Sequence, residues 1–196
     1  MTSDTAPEIR RDQFGASHAP GQLDLVRQFV NTRDIDDDLD GIATPEALEG
    51  WLAKHDLATA PATDVDVARF ADVREGLRAL LLANNGEPLD KEAVARLDAV
   101  AASVPVSLRF GDDDCALEPE GEGLDGALGS ILGVVHTSMR DGTFQRLKAC
   151  REHTCEWVFY DHSRNRSATW CSMEVCGNRA KARAYRARHG KGKQDA

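Results

Sequence analysis

Cysteines are sparse in this chain of 196 residues, and four of the five lie in one short C-terminal stretch. Cys150 and Cys155 are separated by four residues, Cys171 and Cys176 likewise, and fifteen residues lie between the two pairs. Two symmetric cysteine pairs are typical of a zinc site, because thiolates are preferred ligands of Zn²⁺ where thiols stay reduced. Four thiolates fill a tetrahedral shell, so we predict one structural zinc ion.

Three alternatives involve the same residue types. His153 lies inside the first pair and is the alternative ligand to Cys155. Two disulfides are disfavoured without a secretory context, and a redox pair with two intervening residues is absent. Cys115 stands apart in the chain and is interpreted as an ordinary thiol.

The spacing of the second pair constrains its local structure. Residues five apart on an α-helix point about 140° apart, so Cys171 and Cys176 cannot face one ion from a continuous helix. We expect Cys171 on a turn and Cys176 in the first turn of a helix that packs through its alanines. The aromatic residues between the pairs predict a short β-hairpin around a polar turn. These parts together predict a treble-clef-like zinc module.

Basic and amide residues around this module form a candidate nucleic-acid surface, because arginine pairs with phosphate and reads base edges. They are Arg164, Asn165, Arg166, Arg179, Lys181, Arg183 and Arg186. Positions 179, 183 and 186 share one helical face. The alternative is local: zinc with four thiolates keeps a net negative charge, and nearby lysines and arginines would offset it.

Charge is distributed unevenly along the chain. The net charge is −9, but residues 145–196 carry 12 Lys+Arg and only 5 Asp+Glu, which leaves a strongly acidic body in residues 1–144. This pattern favours a polyanionic partner at the C-terminal end. No window resembles a transmembrane segment or a secretory signal, so we expect a cytoplasmic protein.

Periodicity predicts a mostly helical body with one hairpin. Apolar residues recur at helical spacing in four segments before residue 101, with Thr44 and Asp90 suited to cap two of them. The period then becomes two, which predicts a β-hairpin near residues 104–118. A long apolar helix follows, whose glycines permit close packing. The predicted fold class is α+β.

The sequence lacks the motifs of common enzyme classes and of a complete calcium-binding loop. No nucleophile elbow, phosphate-binding loop or paired-histidine metal motif is present, so no catalytic residue is assigned and we expect no enzyme. Asp36, Asp38 and Asp40 match the opening of a calcium loop, but its twelfth position is Ala47 and not a bidentate glutamate. An acidic loop between helices is the better interpretation.

The segment from Cys150 through CGNR, residues 176–179, resembles the CGNR zinc finger. The stretches LDLVRQFVNT (23–32) and DLDGIATPEALEGWLAKHDL (38–57) resemble the ABATE domain that usually precedes it. The resemblance implies a bacterial transcription regulator whose finger binds DNA. The family often has a basic pair where this chain has Ala168 and Thr169.

The sequence and the resemblance together predict four segments: a disordered polar leader at 1–20, an ABATE-like domain at 21–143, the CGNR finger at 144–189 and a disordered basic tail at 190–196. The body would sense a small-molecule effector or form a homodimer, and Asn31, Thr32 and Trp51 are candidates to line its pocket. The alternatives are a protein-interaction module with a purely structural zinc, or a small-molecule-binding protein with an accessory finger.

Overall fold

The computed structural model describes residues 18–57, 60–112 and 115–189. The expected basic tail and most of the expected leader lie outside these residues. The helices are α1 (Leu23–Val30), α2 (Pro45–Lys54), α3 (Asp64–Asn84), α4 (Lys91–Ala101), α5 (Gly123–Asp141) and α6 (Asn178–His189). The strands are β1 (Arg33–Asp34), β2 (Leu39–Asp40), β3 (Val106–Phe110), β4 (Cys115–Pro119), β5 (Leu147–Ala149) and β6 (Val158–Tyr160). The predicted α+β class is confirmed.

The strands pair only within three antiparallel hairpins, β1–β2, β3–β4 and β5–β6, among the residues described. A 3₁₀ turn at Phe144–Arg146 precedes β5, and a single π-turn at Met173–Gly177 precedes α6. None of the described helices is both long and apolar enough to cross a membrane.

Side-chain caps fix where the body helices begin. The Thr44 hydroxyl accepts a hydrogen bond from the Ala47 amide at 3.2 Å, with Pro45 in the first turn of α2. Asp90 accepts from two amides at the start of α4. Both caps follow the sequence prediction, because an oxygen at these positions satisfies amides that lack intrahelical partners.

The core forms around α3, whose Phe70, Val73, Leu77 and Leu81 are fully buried. Helix α4 lies close against it at Gly76, where an added Cβ would stand 2.4 Å from the Cβ of Leu97. Glycine at this position therefore sets the distance between the two helices.

Two arginines of α3 carry charge into this core. Arg74 is 3% exposed and donates to both carboxylate oxygens of Asp40, at 2.7 and 2.8 Å. Arg78 is 2% exposed and donates to the carbonyls of Val30 and Glu156. Burial of a charge is tolerated when it is paired or fully hydrogen-bonded, as it is here.

The predicted hairpin is confirmed as β3–β4, and it packs through β4 along the glycine face of α5. A Cβ at Gly129 would lie 2.7 Å from the Cβ of Pro119, and one at Gly133 would lie 3.3 Å from the Leu117 carbonyl oxygen. The expected close packing of the glycine helix is thus against the hairpin.

The hairpin beside the cysteines differs from the prediction. Strand β6 does lie between the two cysteine pairs, but its partner is β5, which precedes Cys150. The first cysteine pair therefore occupies the loop between the two strands. Leu147, Ala149, Val158 and Tyr160 belong to the main hydrophobic core, so this hairpin completes the body and does not stand apart from it.

Candidate metal centre and finger surface

The four C-terminal cysteines come together at one point. Their sulfur atoms all lie within 4.8 Å of one another. The Sγ of Cys171 is 3.6 Å from that of Cys155 and 3.7 Å from that of Cys176. Sulfurs at the corners of a tetrahedron around zinc, each about 2.3 Å from the ion, stand about 3.8 Å apart. The arrangement fits one zinc ion, and none of the described cysteines is in a disulfide.

The first cysteine pair is positioned by the loop that joins β5 to β6. The Cys150 amide donates to the Trp157 carbonyl at 3.0 Å, and the Cys155 amide donates to the Glu152 carbonyl at 2.7 Å. Glu156 has φ near +47°, in the left-handed region, which turns the chain back into β6. Together these bonds hold both thiols on the inner side of the loop, where they are fully buried.

The second pair lies on two different elements, as the spacing required. Cys171 is in the turn before the π-helical turn, and Cys176 is within that turn, immediately before α6. The Ser172 hydroxyl caps the turn by accepting from the Val175 amide at 3.3 Å. A Cβ at Gly177 would stand 2.6 Å from the Met173 sulfur, so the exposed Met173 side chain would have to move to admit one.

The electrostatics of the cluster call for a cation. Hydrogen bonding from Cys155 lowers the pKa of Cys150 to about 3, so one thiol ionises readily. Burial and the charges of Cys155 and Cys150 raise the pKa of Cys176 to about 12. Neighbouring thiols likewise raise the pKa of Cys171. Four thiolates can share this space only around a divalent ion, and they leave it no open coordination position.

The other candidate ligands lie elsewhere. The His153 side chain is 72% exposed and its Nδ1 faces Glu152 at 3.6 Å, so it is not part of the cluster. Cys115 is in β4, and it is not among the cysteines whose sulfurs converge.

The architecture defines a class of protein: a helical body whose core includes the hairpin of a four-cysteine zinc finger. The family model described as "CGNR zinc finger" matches residues 146–189. The ABATE family model, described as "Putative stress-induced transcription regulator", matches residues 23–141. The chain therefore belongs to the ABATE family and carries a CGNR zinc finger with one structural zinc ion. None of the curated proteins searched matches it.

The basic residues before the first cysteine pair brace the finger's polar turn. Lys148 is 5% exposed, and its ammonium group donates to Asp161 at 2.8 Å and to the Arg166 and Ala168 carbonyls. Arg146 donates to the carbonyls of Asp161 and Ser163. These contacts give both cations a positioning role in the segment that leads to Cys171.

The arginines at the start of α6 make ion pairs with acidic groups of this same chain. Arg179 donates to Asp36 in the loop between β1 and β2 at 2.8 Å. Arg183 donates a hydrogen bond to Oε1 of Glu152 at 2.7 Å, and its second terminal nitrogen lies 2.7 Å from Oε2 in the same ion pair. Glu152 is fully buried and lies between the first two cysteines in the chain. Because a buried carboxylate needs a paired cation, Arg183 ties α6 to the cysteine loop.

This pairing decides which side of α6 is free. Residues 179 and 183 lie on the side that faces the acidic groups, so Lys181, Tyr185 and Arg188 lie on the opposite side by the helical repeat. No residue of α6 is buried, so the helix is not packed by its alanines as expected from the sequence. Arg186 is exposed, as are Arg164, Asn165 and Arg166 on the polar turn.

The residues proposed for a ligand pocket have structural partners. Asn31 is 4% exposed; its amide donates to the Val158 carbonyl at 2.9 Å and its oxygen accepts from the Val158 amide at 2.7 Å. Thr32 is 2% exposed and hydrogen-bonds Phe29 and Arg74. Trp51 packs against Phe29, with ring centroids 5.4 Å apart. The Asn31 side chain therefore forms a contact between the body and the finger.

Two further contacts of this kind were not predicted from the sequence. Asn84 donates to the carbonyls of Phe144 and Leu147, and Asn85 donates to those of Ala149 and Thr169. In the sequence these asparagines signal only the end of α3, because their partners lie some sixty to eighty positions further along the chain. Nothing in the local pattern indicates that the amides would face the finger.

Proposed function

We propose that this protein is a transcription regulator that binds DNA through its zinc finger. The observation that carries the proposal is α6, a basic helix that emerges directly from a zinc ligand and has no buried residue. Zinc and the Glu152–Arg183 pair set the direction of this helix. A helix held in this way presents its side chains to a groove without a large ordering cost.

The geometry divides the basic residues into two groups. Arg179 and Arg183 position α6 through their acidic partners, and Lys181 and Arg188 lie on the free side with Tyr185 between them. The proposed nucleic-acid contacts on the free side of the helix are therefore Lys181 and Arg188. Arg186 shares the face of Arg179 and Arg183 but is exposed beyond them, and we include it as a further contact. Arg164, Asn165 and Arg166 on the exposed turn complete the proposed surface.

The acidic body takes a different part in the proposal. Its net negative charge repels phosphate, so DNA approaches from the finger side. The body would bind an effector or form a homodimer. A change in the body would then alter the position of the finger, because the two share one hydrophobic core. The proposal involves no catalytic step and places the protein in the cytoplasm, where its thiolates stay reduced.

DNA binding by the finger can be tested by fluorescence anisotropy with a mixed-sequence DNA duplex. The experiment uses the full chain loaded with zinc and is repeated over a range of salt concentrations. We expect binding whose log affinity falls linearly with log salt, because phosphate contacts release counterions. The double variant Lys181→Glu, Arg188→Glu should weaken binding by about tenfold or more and reduce the salt slope by about 2.

The matched control is Lys54→Glu, Lys91→Glu, which reverses the same charge at two exposed positions of the body. The DNA affinity of this control should stay within about threefold of that of the unsubstituted protein, because the two substitutions change only charge that lies far from the proposed contact surface. Arg183 is not substituted in the test of DNA binding, because its loss would leave the buried Glu152 carboxylate without its paired cation. If the folded, zinc-loaded protein shows no salt-dependent binding at low salt, the proposal fails and a protein-interaction module with a structural zinc is favoured.

A further inference from the structure

The hairpin β3–β4 leaves an apolar strand surface uncovered. Val106, Leu108 and Phe110 are 38%, 57% and 80% exposed, whereas most large apolar side chains of the described body are buried or half-buried. The three alternate along β3, so they point to the same side of the hairpin. An exposed row of large apolar groups on a strand commonly marks an interaction surface.

The same strand is also a free edge. Strand β4 lies between β3 and α5, where Pro119 and the Leu117 carbonyl approach the glycines of α5. In the described part of the chain no strand pairs with the outer side of β3. Its outward backbone amides and carbonyls are therefore available to a further strand.

The charges on this edge suit a second copy of the same chain. Arg109 is the only charged residue of β3; its side chain is 70% exposed and pairs with Glu118 of β4 at 3.1 Å. If two β3 strands pair antiparallel about a two-fold axis at Leu108, Arg109 of each copy lies opposite Ser107 of the other. Since Ser107 is paired with Glu118 in its own hairpin, each arginine then lies on the same side of the sheet as the second copy's Glu118, two strands away and within reach of its long side chain.

The apolar side chains match under the same symmetry. Pairing about Leu108 places each Phe110 opposite Val106 of the second copy and each Leu108 opposite itself. An aromatic beside a β-branched residue is a favourable cross-strand pair. We propose that β3 is a homodimer interface, in which two hairpins join into one four-stranded antiparallel sheet with a continuous apolar face. This proposal is independent of DNA binding.

The test is sedimentation equilibrium on the full, zinc-loaded protein, with Leu108→Glu as the variant. We expect a concentration-dependent dimer that the variant weakens by about tenfold or more, because the substitution places two like charges opposite each other at the axis. The control is Val65→Glu, which alters an exposed apolar residue on α3 and should leave the dimer unchanged.

A second measurement fixes the register and does not depend on how the charged variant folds. In a Cys115→Ser background, Leu108→Cys should crosslink to itself under mild oxidation, since residues opposite each other on paired strands are within disulfide reach. Val65→Cys should not. A wild-type chain that remains monomeric at high micromolar concentration overturns the proposal. So does a dimer that survives Leu108→Glu and fails to crosslink at 108.

Discussion

At the scale of single residues, the junction between body and finger depends on side-chain amides and one buried ion pair. Asn31 completes both backbone hydrogen bonds of Val158, and the Asn85 amide donates to the carbonyls of Ala149 and Thr169 in the finger. The hydrogen bond and ion pair from Arg183 lower the pKa of the buried Glu152 carboxyl, which favours its ionised form. Each is a polar group whose partner belongs to a distant part of the sequence.

Replacing Asn31 with alanine should destabilise the whole chain. The change leaves the amide and the carbonyl of Val158 buried without partners, and each such group costs roughly 1–3 kcal/mol. We expect a loss of about 2–4 kcal/mol in the free energy of unfolding, measured by urea denaturation of the zinc-loaded protein. Asn165→Ala on the exposed turn is the control and should change stability by less than about 0.5 kcal/mol. Equal effects of the two substitutions would contradict this role of Asn31.

At the scale of elements, close approach of backbones governs the packing. Helix α5 carries two glycines, Gly129 and Gly133, at which an added Cβ would stand 2.7 Å from the Cβ of Pro119 and 3.3 Å from the Leu117 carbonyl oxygen, so β4 can lie directly on it. Helix α6 differs, with no buried residue and an orientation set by zinc and two ion pairs. Close packing against β4 therefore positions α5, whereas the zinc ligand and the ion pairs position α6.

Glycine-to-alanine substitutions at two helices should therefore have opposite effects. Gly129→Ala places a Cβ 2.7 Å from that of Pro119, and overpacking of this kind costs about 1–3 kcal/mol. Gly50→Ala in α2 meets nothing within 4 Å and should stabilise by up to about 1 kcal/mol, because alanine is the better helix former. Thermal unfolding of both variants measures the difference. Stabilisation at Gly129 would show that β4 does not pack there as described.

At the scale of the whole molecule, the finger is part of the body's core. Four residues of β5 and β6 are buried in that core, and Arg78 reaches from α3 to the loop that carries the first two cysteines. Zinc therefore stabilises the strands that cover α1 and α3. It also holds the helix on which DNA contact is proposed.

Removal of zinc should consequently lower the stability of the entire chain. We expect helical circular dichroism and tryptophan fluorescence to report a single unfolding transition, shifted down by roughly 10 °C or more in a chelator. Excess zinc added back should restore the original transition. A helical transition that is unchanged by the chelator, with only the fluorescence affected, would indicate a finger that folds separately from the body.

Features that depend on local spacing could be predicted from the amino-acid sequence. The zinc ligands, the caps of α2 and α4, the change of period at β3 and the placement of Cys171 and Cys176 on different elements all follow from residues a few positions apart. The family resemblance, confirmed by both family models, also rested on such short motifs.

Contacts between distant parts of the chain could not be predicted from the sequence and are seen only in the folded structure. It placed Asn31 against β6, paired β6 with β5, and turned Arg179 and Arg183 toward Asp36 and Glu152. A hydrogen bond or ion pair depends on distance in space, and side-chain partners 31 to 143 positions apart leave no periodic pattern in the sequence. The ion pairs of Arg179 and Arg183 likewise show which side of α6 is free. The strand pairing of the described residues shows that one edge of β3 is uncovered.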